Sequence, residues 1–86
     1  MEQVKPMKDV KPGRTAMVRQ FCYIHRSGDR VFKRERMGVR IITRTERDNR
    51  GYMYVGRPIS KRVIEELTQL MSPKNQDIYF WAPDIL

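Results

Sequence analysis

The chain has little of what redox or metal chemistry needs. It holds a single cysteine, Cys22, and a single histidine, His25. One cysteine cannot close an internal disulfide, and one Cys with one His cannot by themselves build a structural zinc site. The pattern suits a reducing, cytoplasmic setting. Cys22 lies in the apolar run Phe21-Cys22-Tyr23-Ile24 and reads as a small packed hydrophobe rather than a reactive thiol. His25, without a second histidine, reads as a surface or capping residue. Long hydrophobic runs are missing as well. No stretch approaches the ~20 apolar residues of a membrane span, and the start, Met1-Glu2-Gln3-Val4-Lys5-Pro6, has no apolar signal core. No Gly-rich phosphate loop, dinucleotide fingerprint, zinc finger or RNA-binding signature occurs. Glu46 and Asp48 are the two carboxylates that share a predicted strand face, and they read as ion-pair and turn residues. The expectation is therefore a protein with no cofactor, no metal and no catalytic set.

Acidic side chains are the other shortage. Ten Asp and Glu stand against eighteen Lys and Arg, giving a net charge of +8 in 86 residues. Such an imbalance points to an anionic partner, whether nucleic acid, an acidic protein or an anionic membrane, or to a basic surface that only aids solubility. The hydrophobic fraction of 40% is too high for outright disorder, and the length fits one domain with a modest core.

Along the chain, residues 1–14 carry Pro6, Pro12 and Gly13 among lysines and read as a basic, flexible N-terminal arm; residues 15–86 form the domain. Thr15 to His25 reads as a strand, Arg26-Ser27-Gly28-Asp29 as a turn, and Arg30 to Arg36 as the returning strand, in a register that Gly28 leaves ambiguous. Gly38 marks a break or bulge. Residues 39–47 and 52–57 form a second hairpin around Asp48-Asn49-Arg50-Gly51, with Gly51 left-handed. A three-residue loop, 49–51, would set Thr45 opposite Val55. It places Ile41, Thr43, Thr45, Met53 and Val55 on a core face and Arg40, Ile42, Arg44, Glu46, Asp48, Tyr52 and Tyr54 on the other. Ser60 is a good N-cap for a helix over 61–71, whose stripe is Val63, Ile64, Leu67, Leu70 and Met71. Asp77 to Trp81 is a closing strand before Pro83. The order β-β-β-β-α-β predicts a small single α+β domain. Its antiparallel sheet of about four to five strands carries one amphipathic helix packed on one face.

Arginine neutralises phosphate and reads guanine edges, and tyrosine gives an unpaired base a stacking surface. The candidate nucleic-acid-binding set is Arg40, Arg44, Arg47, Arg50, Tyr52, Tyr54, Arg57, Lys61 and Arg62. Arg47 and Arg50 flank the hairpin tip, and Lys61 and Arg62 open the helix. An ordinary polar face, with Arg stacked on Tyr, would show the same residues. Tyr79 and Trp81 are candidates for a protein-interaction surface, set against a plain core role. The expectation is a noncatalytic nucleic-acid-binding accessory or regulatory protein, with DNA and RNA unresolved. The alternative is a basic modulator or inhibitor of a nucleic-acid-processing enzyme or ribonucleoprotein. Neither reading calls for a membrane, and both leave a homo-oligomer open.

Overall fold

The computed structural model describes residues 9–45, 49 and 51–86. Six strands form one antiparallel sheet: β1 (Thr15–Val18), β2 (Phe21–Ile24), β3 (Arg30–Lys33), β4 (Met37–Arg44), β5 (Met53–Pro58) and β6 (Ile78–Trp81). A helix, α1 (Lys61–Leu70), separates β5 from β6, and a 3₁₀ turn over Ala82–Asp84 follows β6. This is a small α+β domain with one or two strands more than the sequence suggested. No described helix is long and apolar enough to cross a membrane.

The sheet order is β1-β4-β5-β6-β2-β3. In chain order, β1 to β4 come from one long bent hairpin. Thr15 faces Arg40 and Val18 faces Met37, and beyond the bend Phe21 faces Lys33 and Ile24 faces Arg30. Arg19 and Gln20 form one side of the bend; Arg34, Glu35 and Arg36 form the other, with one residue extra. The far half of this hairpin pairs through β2 with β6, while the near half pairs through β4 with β5.

Connectivity then dictates curvature. In a flat sheet β1 and β2 would lie four strand spacings apart, about 19 Å. The link Arg19-Gln20 spans at most about 11 Å from Val18 to Phe21. The sheet must therefore curl, and its inner face becomes the core. Val18, Phe21, Tyr23, Met37, Val39, Ile41, Tyr54, Ile78 and Phe80 are all buried there. The helix runs from the end of β5 to the end of β2, where Met71 pairs with His25. Leu67 and Met71 enter the core and Val63 packs against it, while Ile64 and Leu70 keep about 40% exposure (42% and 39%). Ser60 occupies the N-cap in extended conformation without a side-chain capping bond. At the other end Ala82 and Ile85 are buried, Ile85 pairs with Val18, and Leu86 N–H donates to the Met17 carbonyl (2.8 Å).

The β4–β5 hairpin departs from the expected register. Val55 faces Thr43, not Thr45, a shift of two residues that by itself would leave both faces unchanged. A β-bulge at Ile42 does change them: Ile41 faces Gly56, Thr43 faces Val55, and the residue between is extra. Before the bulge, odd-numbered residues of β4 point inward; after it, Arg44 and Tyr54 do. Thr43, Met53 and Val55 consequently turn outward. Gly51 is left-handed (φ 94°), as the turn requires, and Gly28 likewise (φ 93°).

Of the arm, residues 9–14 are tied to this sheet. Gly13 N–H donates to the Ile41 carbonyl and Ile41 N–H to the Arg14 carbonyl, both at 2.8 Å, and Val10 packs against the core. Residues 1–8 lie outside the described residues.

Candidate functional site

The bulge dismantles the Arg/Tyr face inferred from alternation. Tyr54 is fully buried, stacks on Phe80 (5.7 Å between ring centres) and accepts a hydrogen bond from Val10 N–H at 3.0 Å. Tyr52 is half-buried, edge-on to Tyr54, with the Arg44 guanidinium 4.3 Å above its ring. Arg44 is also ion-paired with Asp9. These three side chains are engaged with one another, and Tyr54, being buried, cannot serve as an open stacking surface. Arg47 and Arg50 lie outside the described residues. Lys61 and Arg62 are exposed on the helix, where Arg62 pairs with Glu66 at 3.5 Å. Arg40 and Arg57 remain on the outer sheet face, directly opposite each other. Arg57 Nε lies 3.1 Å from the Asp77 carboxylate, and Arg40 reaches the Gly13 carbonyl at 3.4 Å.

The outer face is organised in rows that cross the strands. One row follows the ladder from Thr43 through Val55, Tyr79 and Cys22 to Phe32. Two residues along, roughly 6.6 Å away, a second row holds Thr15, Arg40 and Arg57 on one side and Ile24 and Arg30 on the other. An apolar track therefore runs beside a charged one, in which Asp77, ion-paired to Arg57, lies between the cations of the two sides. Phe32 is 60% exposed, although it sits in a regular strand. Arg30 is exposed and makes no ion pair with a described residue.

The apolar track deepens into a cleft. β2 and β6 pair only at Cys22–Tyr79 and Tyr23–Ile78, so Phe21 and Phe80 sit beyond the last pair, where the strands part. A cavity of about 460 Å³ opens there. Phe32, Tyr79, Trp81 and Met53 wall it from the outer face, Phe21 and Phe80 show through the split, and Arg30, Asn75 and Asp84 add polar groups. Asn75 donates to the Tyr79 hydroxyl (2.8 Å), and Gln20 donates to the largely buried Asp84 carboxylate (2.7 Å). Cys22 lines the same cleft; burial pushes its thiol above the ordinary range, and the Arg30 guanidinium partly offsets that. Among the described residues, no group of three His, Cys, Asp or Glu is placed to hold a metal.

The sequence singled out Tyr79 and Trp81, as candidates for protein interaction, but not Phe32, Arg30 or the strand split that line the same cleft. Arg30 and Phe32 alternate on one strand face, which was a readable signal; the split depends on long-range pairing. The bend beside the cleft adds the exposed cations Arg19, Arg34 and Arg36.

No known protein family, curated protein or solved structure matches this chain. Its function must therefore be read from the site itself.

Proposed function

We propose that this protein is a noncatalytic nucleic-acid-binding accessory factor of the cytoplasm, and that the outer sheet face is its binding surface. The observation that carries the reading is the pair of adjacent tracks. Arg40, Arg57 and Arg30 lie in the row next to the one that holds Tyr79 and Phe32, roughly 6.6 Å along the strands, with Arg57 also paired to Asp77, a layout that suits phosphate contacts beside base contacts. A net charge of +8 supports it, through counterion release and steering. The test is fluorescence anisotropy with single-stranded and duplex DNA and RNA over a salt series. Binding to at least one form should persist near physiological salt, with a linear fall of log affinity against log salt. Uniformly weak binding to all four that vanishes as salt rises would refute the reading.

One observation favours a second reading. Among the described residues no strand pairs with the outer edge of β3, which carries the exposed Phe32. Such an edge can accept a strand of an acidic protein, with the arginines steering the encounter. A clean protein that binds no oligonucleotide but captures one acidic partner would support it.

A further inference from the structure

We infer that the cleft between the diverging ends of β2 and β6 is a pocket for one unpaired nucleobase, so that the strand this protein holds is single-stranded. This rests on the nucleic-acid reading above and names its substrate class. The cavity, about 460 Å³, is within the size range of small-ligand sites, about 300–1,000 Å³. Its walls are flat rings, from Phe32, Tyr79 and Trp81, with Met53 and Phe80 closing it. Its polar groups are few and lie at its margins, as a planar heterocycle requires. The Asp84 carboxylate is a poor neighbour for phosphate but a fitting acceptor for the ring or exocyclic N–H groups of a base. Arg30 sits on the same cleft without an ion pair among the described residues, and Arg19, Arg34 and Arg36 lie at the adjacent bend. Cations thus flank an apolar slot whose one acidic group, Asp84, is largely buried and already held by Gln20, an arrangement that draws a polyanion and admits its base. A base paired in a duplex cannot enter; a flexible single strand can present one while following a curled sheet.

Cys22 makes the pocket directly observable, since it is the only cysteine and it lines the cleft. The experiment measures alkylation of Cys22 by mass spectrometry, with free protein, with a saturating cytosine oligonucleotide, and with an abasic oligomer of the same length. Anisotropy on the same samples reports binding. The expected result is that the cytosine oligomer binds roughly ten-fold more tightly than the abasic one and alone slows alkylation several-fold. Phe32→Ala, at a site exposed enough to spare the fold, should erase most of that difference. Equal binding of both oligomers with Cys22 still reactive would overturn the pocket and leave the nucleic-acid reading standing. Failure of both oligomers to bind would overturn the two together and leave the cleft to an apolar side chain of a protein partner.

Discussion

Tyr54 carries two jobs that a surface tyrosine would not. Its ring stacks on Phe80 in the core, and its hydroxyl holds the Val10 amide, pinning residues 9–14 to the sheet. Tyr54→Phe should therefore lower stability by about 1 kcal/mol in urea denaturation while leaving nucleic-acid affinity unchanged. Gly56 is equally specific, because a Cβ there would meet the Arg40 carbonyl oxygen at 2.7 Å. Gly56→Ala should cost about 1–3 kcal/mol, since backbone and not a flexible side chain must give way. Cys22 supplies a pH signature. Burial raises its thiol's pKa in the fold, so its favourable contribution is complete below the unfolded thiol's value, about 8.5, and is lost as pH rises through the folded value. The stability of wild type should fall relative to Cys22→Ala above that range, and a constant difference between the two would contradict the burial. Arg30→Ala removes a nearby cation and should slow Cys22 alkylation at fixed pH.

At the scale of elements, the strand segments, the helix and two of the three left-handed glycines, Gly28 and Gly51, were readable from local chemistry. Turn residues, β-branched runs and a 3.6-residue stripe are short-range signals. Which residues of the second hairpin face outward was not readable, and Ile42 is the reason. Alternation propagates faces along a strand only until a bulge inserts one residue, and nothing in Arg40-Ile41-Ile42-Thr43 announces that insertion. The same limit hid the bend, where Arg34, Glu35 and Arg36 oppose only Arg19 and Gln20. The helix shows how a stripe overstates burial: Leu67 is 2% exposed and Ile64 42%. Leu67→Ala should cost about 2–5 kcal/mol, while Ile64→Ala should cost much less in the same urea titration. Similar losses at both positions would mean that the helix buries a wider face than the structure shows.

For the whole molecule, a two-residue link forces a six-stranded sheet to curl around its own core, which leaves the other face turned outward, the surface proposed for binding. The most direct measurement is the salt dependence of single-stranded DNA affinity for Arg30→Ala/Arg40→Ala, with Arg62→Ala as the control on the helix. If the outer face holds phosphates, the double variant should weaken binding and flatten the log–log salt slope by about 1.4, near 0.7 for each phosphate no longer neutralised, while Arg62→Ala keeps the wild-type slope. An unchanged slope in the double variant would contradict the assignment of this face as the binding surface.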